Sequence, residues 1–336
     1  MKQVGKCNIH QVASRVFSGL VFGALCLVSG VANAQAYPSR PIKIVVPWGA
    51  GGVTDNAARV MAQKLSERLS VPVIVESKAG AAGTIGATFV ARAPADGYTL
   101  LMASSETNTI APNIRPKLPY APQKDFTPLI PFAIVPFALV ARPGFPANTL
   151  NELIALVKKS PGKFTYASPG VGSTSQLGME ALKILGGLDI LGVHFQSQAT
   201  TMFSLVSGQT DLEMLAAGQA AVALKAGQLK VIAVMTPDRV AEMPGVPTFR
   251  EAGLPGMNFS NWFGFVAPAG LPAPIAQRLA TEMSAIVKMA DVKAAFQTLG
   301  LKEVDPPMSS PEFEKFLESE TARWGAVIRS ANIKVD

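Results

Sequence analysis

Ile42-Lys43-Ile44-Val45-Val46-Pro47-Trp48-Gly49-Ala50-Gly51-Gly52-Val53-Thr54-Asp55 is the stretch on which the reading of this 336-residue chain turns. Its first half is a β-branched apolar run of strand length, and its second half is a glycine turn that ends the strand. Beyond it Ala57, Met61, Leu65 and Leu69 recur at helical spacing, with Thr54 or Asp55 expected to cap the helix. Residues 73–76 read as the next strand. A second small-residue loop, 79–86, opens a helix to about residue 92, and 98–102 reads as a third strand. Strand, helix and strand in alternation imply an α/β fold with crossover helices.

The middle of the chain repeats this pattern. Thr149-Leu150-Asn151-Glu152 is a capping box for a helix to about 159, and 164–167 is a strand. The loop Pro169-Gly170-Val171-Gly172-Ser173-Thr174-Ser175 then leads into a helix through 185. Strands are expected over 190–195, 211–214 and 231–235, and helices over 202–207 and 217–226. A Pro/Gly-rich turn region, 244–255, precedes an extended run over 262–267. Two helices close the chain. One covers 272–289, and the other is opened by Ser310-Pro311 and carries Phe313, Phe316, Leu317, Trp324, Val327 and Ile328 on one face.

The first 34 residues stand apart from this fold. Lys2, Lys6 and Arg15 are followed by a 16-residue apolar run from Val16 to Val31 and then by Ala32-Asn33-Ala34. Positive charge, an apolar run short of the ~20 residues that span a bilayer, and small residues spell a secretory signal. Cleavage is expected after Ala34 or Ala36, with the mature protein in the periplasm. Both cysteines, Cys7 and Cys26, fall inside the signal, so the exported chain would hold no disulfide and no cysteine metal site. Removal of the signal's three cations leaves 27 basic against 23 acidic residues, a mild excess of +4. No basic cluster suits nucleic acid. A mature chain of roughly 300 residues can bury about three quarters of its unfolded surface and form two domains.

Catalytic chemistry is poorly provided for. His194 is the one histidine of the expected mature chain, no Gly-x-Ser-x-Gly elbow exists, and no metal ligand set or Walker loop can be assembled. A dinucleotide site is the competing reading of the first loop, because Glu76 ends the next strand, but Thr54 stands where the third fingerprint glycine belongs. What remains is three strand-to-helix loops, 48–55, 79–86 and 169–175, rich in Gly, Ser and Thr. Unpartnered N–H groups and partial positive charge at helix starts hold carboxylates, and glycine admits the ligand to the backbone.

At these loops the sequence resembles the Bug family, periplasmic solute-binding proteins of tripartite tricarboxylate transport systems. The likeness rests on Tyr37-Pro38-Ser39-Arg40-Pro41-Ile42, Pro47-Trp48-Gly49-Ala50-Gly51-Gly52-Val53-Thr54-Asp55 and Ala93-Pro94-Ala95-Asp96-Gly97-Tyr98-Thr99-Leu100. Leu118-Pro119-Tyr120, Asp125-Phe126, Tyr166-Ala167-Ser168, Ala252-Gly253-Leu254-Pro255-Gly256 and Trp262-Phe263-Gly264 continue it in the same order.

The resemblance implies a type II periplasmic-binding-protein fold, two lobes with mixed, mainly parallel sheets joined by two crossing strands near 134–140 and 258–265. Lobe one would comprise 35–137 with 260–336, and lobe two 138–259. It implies a small organic carboxylate as ligand, no cofactor and no metal, a monomer, and membrane transporter subunits or a sensor ectodomain as partner. Trp48, Gly51, Gly52, Thr54 and Asp55 would meet the acid from lobe one, and Ser168, Gly172, Ser173, Thr174 and Ser175 from lobe two. Ser104, Ser105 and Glu106, with Phe195, Gln196 and Ser197, would contact the ligand body. Asp55 would repel an acid, so a capping or water-holding role is expected of it.

This chain departs from the family at Val193-His194-Phe195-Gln196-Ser197, where Val-Pro-Tyr-Lys-Gly is usual, and at Leu215, where an aspartate is usual. Trp48 and Ala50 replace a common Phe and Pro. Loss of a lysine and an aspartate favours a less polar or aromatic acid. An exported enzyme on the same scaffold is the remaining alternative.

Overall fold

The computed structural model describes residues 37–333 apart from 196, 258 and 260. The signal segment, both cysteines, Gln196 and Asn258 therefore lie outside the described residues. Along the chain the strands are β1 (Ile42–Val46), β2 (Val73–Ser77), β3 (Thr99–Ser104), β4 (Phe126–Val135), β5 (Phe137–Ala141), β6 (Thr165–Ser168), β7 (Leu191–His194), β8 (Leu212–Ala216), β9 (Lys230–Val234), β10 (Asn261–Pro268) and β11 (Lys302–Glu303). Helices of eight or more residues are α1 (Val53–Leu69), α2 (Thr84–Ala91), α3 (Leu150–Lys159), α4 (Thr174–Gly186), α5 (Gln198–Val206), α6 (Ala217–Lys225), α7 (Ala273–Val287), α8 (Ala290–Thr298) and α9 (Ser310–Ser330).

Two sheets organise these elements, with strand orders β11-β4-β10-β3-β1-β2 and β7-β6-β8-β5-β9. β1 lies parallel to both β2 and β3, and β6 parallel to both β7 and β8. The sheets are mixed, but parallel pairing does not dominate. Five pairings are antiparallel, because β10 and β11 run against the first sheet's direction and β5 against the second's. β4 and β5 are separated by Pro136 alone, yet belong to different sheets, so the chain crosses there. It returns between β9 and β10 through a run of turns.

The inner strands β3, β5 and β10 are buried almost throughout, so they read as near-continuous apolar runs. Ile42, Ile44, Val45 and Val46 of β1 have no exposed surface. Around the first sheet Leu101, Trp262, Val266, Phe313 and Leu317 share one core cluster, and around the second Ala138, Leu205, Leu215, Ala220 and Val234 share another. Each fully buried large side chain contributes about 1.5–3 kcal/mol. The expected stripe of α1 is buried, and Thr149 accepts the Glu152 amide at the start of α3.

Three local expectations change. The cap of α9 is Ser309 rather than Ser310, because Glu312 closes a capping box with it. α5 starts four residues earlier than expected, where Ser197 caps it by accepting the Thr200 amide. The helix read over 272–289 stops at Val287, and a second helix, α8, follows at once.

Candidate functional site

The glycine turn after β1 places Gly51 at φ +83° and makes Gly52 the N-cap of α1, with no side chain capping the helix. Thr54 and Asp55 lie inside the first turn instead of capping it. Asp55 is buried and reaches back: its Oδ2 accepts the Gly51 amide at 3.0 Å and the Arg59 Nε at 2.8 Å, and Ser77 Oγ donates to its Oδ1. Burial pushes its pKa up, but Arg59, the Gly51 amide and Ser77 outweigh burial and hold it below the ordinary aspartate value. Its charge is spent on the loop. Half-buried Trp48 packs beside Gly83, where a Cβ would fall 3.4 Å from its ring and 2.7 Å from Thr107. The loop 79–86 thus nests against the first loop and the end of β3.

At that end Ser104 and Ser105 are fully buried. Ser104 Oγ donates to Glu106 Oε2 at 2.6 Å, and the Ser105 amide donates to Asn261 Oδ1 at 3.2 Å. Both Glu106 carboxylate oxygens accept from Asn261 Nδ2, at 2.9 and 3.0 Å, and Oε1 also accepts from Thr174 Oγ1 at 2.6 Å. Thr174 is the first residue of α4, whose cap Ser173 accepts the Gln176 amide and donates to Gly170 O. Gly172 sits at φ +82°, donates to Gln176 Oε1, and lies so close to Ile114 that a Cβ would meet Ile114 Cδ1 at 2.3 Å. Ser175 is buried and its hydroxyl finds no partner among the described residues.

The end of β7 behaves as a structural corner. Ser168, with no exposed surface, lies 2.7 Å from His194 Nδ1. Burial lowers the His194 pKa, with Glu180 opposing and Lys183 reinforcing it. Half-buried Phe195 donates its amide to Ser168 O, and exposed Ser197 caps α5. Among the described residues no cluster of His, Cys, Asp and Glu could hold a metal ion.

The main cavity, of about 690 Å³, opens beside these groups. It is lined by Val53, the first residue of α1; by Gln198 and Met202 of α5; by Ala217, Gly218 and Gln219, the first residues of α6; by Pro136 at the crossing; and by the turn 299–302. Starts of helices from both sheets therefore share one cavity. Those of α1 and α6 carry no side-chain cap, although the Ala217 amide is taken by Pro136 O. None of the residues selected from sequence lines this cavity, but Val53 and Gln198 are their chain neighbours. Gly218 and Gln219 were missed; the small residues Ala216-Ala217-Gly218, where strand β8 passes directly into helix α6, were the available signal. Asn261 was also missed, although it directly precedes the apolar run Trp262-Phe263-Gly264.

Behind the α5 start, Glu213 of β8 is completely buried. Its Oε1 accepts from Gln198 Nε2 at 2.7 Å and Thr201 Oγ1 at 2.9 Å, and its Oε2 has no partner among the described residues. Burial raises its pKa to about 7, against the two hydrogen bonds that lower it.

Residues 57–333 match the tripartite tricarboxylate transporter family receptor. The solved periplasmic binding protein BugD is 32% identical, with a TM-score of 0.77 over 89% of this chain and 99% of its own. Rpa4515 of R. palustris, solved with adipate, is 30% identical with a TM-score of 0.79 over 89% and 99%. MatC from Rhodopseudomonas palustris, solved with bound malate, is 34% identical with a TM-score of 0.76 over 87% and 100%.

Proposed function

The chain belongs to the tripartite tricarboxylate transporter receptor family, and from that premise we propose that it is a periplasmic receptor that captures a small organic carboxylate and delivers it unaltered to a membrane transporter. Two mixed sheets joined by crossing segments form the type II periplasmic-binding-protein fold of its solved relatives. The observation that carries the reading is the cavity framed by helix starts from both sheets. There a carboxylate gains the N–H groups and partial positive charge of uncapped first turns. Bridging waters extend the reach of those amides at about 0–2 kcal/mol of ordering entropy each.

In this reading lobe one is 35–137 with 260–336 and lobe two is 138–259, and the protein works as a monomer. The Gly51 and Gly52 backbone with Thr54 flanks the acid at α1, while Gln198 meets it at α5, the helix whose start Ser197 caps. Asp55 shapes the loop and makes no ligand contact. Neighbours that hold adipate and malate support an acid as the ligand. The apolar walls at Val53, Met202 and Leu299 support one with an apolar body, aliphatic or aromatic.

Calorimetric titration of the purified protein with adipate, malate, aspartate and aromatic monocarboxylates tests this. At 100 times its Kd a bound acid adds ~2.7 kcal/mol of stability, visible as a higher Tm. Tight binding of aspartate with none of an apolar acid would reject the ligand class. Binding of no acid at all would reject the receptor reading.

A further inference from the structure

We propose that Glu106 is a built-in latch between the lobes, its carboxylate occupying the start of α4 as a ligand carboxylate would and so setting the balance between open and closed forms. The proposal rests on the two-lobe reading above and adds a residue with a role of its own. Glu106 sits on the turn after β3, in the first sheet's half. Its partners come from three separate parts of the chain. Ser104 Oγ, at 2.6 Å, fixes it from its own turn; Asn261 Nδ2, at 2.9 and 3.0 Å, grips both oxygens from the first residue of β10, where the chain has just returned from the second sheet; and Thr174 Oγ1, at 2.6 Å, reaches it from the first residue of α4 in the other half.

This geometry is that of a satisfied anion site. Hydrogen bonds to a charged acceptor are shorter and stronger than neutral ones, and the positive end of α4 adds to them. Ser104 and Thr174 are buried, so the donors have little access to water as an alternative. Next to this carboxylate the halves meet without a gap, Gly172 lying against Ile114. A carboxylate held by both lobes and by the returning strand favours the closed arrangement before any ligand enters. Asn261 is the positioning residue, since its amide aims Glu106 at Thr174.

Small-angle X-ray scattering of the purified, ligand-free protein tests the latch independently of what it binds. The wild type is expected near the ~19 Å radius of gyration of a compact chain of about 300 residues. Glu106→Ala and Thr174→Val are expected to raise it by roughly 1 Å through opening, and the double variant to add nothing further. Thr174→Ser, which keeps the hydroxyl, is expected to restore the wild-type profile. Far-UV circular dichroism identifies any variant that has not folded, and Thr174→Val then carries the test alone. Unchanged scattering in folded Glu106→Ala and Thr174→Val overturns the latch, as does tighter binding of adipate or malate with no change in scattering, which would make Glu106 merely a charge that repels acids. Failure of every acid to bind, with opening still seen in the variants, would sink the receptor reading and leave the latch standing.

Discussion

The two flanks of the cleft use the same local chemistry to opposite ends. On the α4 flank, a Gly- and Ser-rich turn meets the other half of the molecule directly: Gly172 abuts Ile114, Ser173 caps its own helix, and Thr174 binds Glu106. On the α5 and α6 flank a cavity of about 690 Å³ is left, and the α1 and α6 starts around it have no side-chain cap. A strand-to-helix turn is therefore not a ligand site by virtue of its composition. What decides is whether the protein has already supplied the carboxylate and the cap. The α4 flank has both. On the other, Ser197 caps α5 and Pro136 O takes the Ala217 amide, but the α1 start at the cavity has no side-chain cap and faces the guest.

The largest effect expected from disturbing this contrast concerns the carboxyl beneath the cavity flank. Glu213 has a pKa raised to about 7, so the folded state keeps a proton that the unfolded chain has lost. Its stabilising contribution is present when it is protonated. It falls as pH rises from about 4.5 to 7, and above that the ionised group remains a fixed penalty. Glu213→Gln mimics the protonated form. Urea unfolding should show the variant and wild type alike near pH 4.5 and the variant ahead by ~2–3 kcal/mol at pH 8. A gap independent of pH would show that Glu213 is ionised, or protonated, throughout.

On the sealed flank, Gly172→Val forces a β-branched residue to φ +82° against Ile114. A loss of about 2 kcal/mol in urea midpoint measurements is expected from the backbone strain, and a loss below half of that would mean the flank yields easily. At the cavity wall, a Cβ on Gly218 would lie 2.8 Å from the Gly300 Cα, a close approach of two backbones. Gly218→Ala should hold the halves slightly apart and weaken acid binding ~10-fold, about 1.4 kcal/mol, by calorimetry. The smallest effect belongs to Ser197→Ala. Loss of the α5 cap should cost ~1 kcal/mol of stability, with acid affinity reduced in step because Gln198 follows the cap into the cavity.

Much of the fold was legible because its signals are local. Glycine turns after β1 and β6, the Thr149 box and the stripe of α1 depend on residues within a few positions of each other. The α5 start is hidden in the sequence because Gln198-Ala199-Thr200-Thr201, between the cap Ser197 and the first large apolar residue Met202, are all small or polar. The site was less legible for a different reason. Glu106 and Thr174 are 68 residues apart, and Glu106 and Asn261 are 155 apart. No periodicity within a segment encodes such pairings; they exist only once the chain has crossed between two sheets at Pro136 and returned. Composition could nominate the hydroxyls of the β6–α4 loop as anion donors, but Ser173 donates to the Gly170 carbonyl, and the anion that Thr174 meets is the protein's own.

The most direct test fills the cavity and leaves both flanks intact. Val53, half-buried at the first position of α1, lines it, and Val53→Trp would occupy the space proposed for the ligand body. Calorimetric titration of an acid that binds the wild type one to one should show at least a 10-fold weaker Kd in Val53→Trp, about 1.4 kcal/mol or more, with an unchanged ligand-free Tm. Equal affinity in the two proteins would place the acid elsewhere and contradict the account.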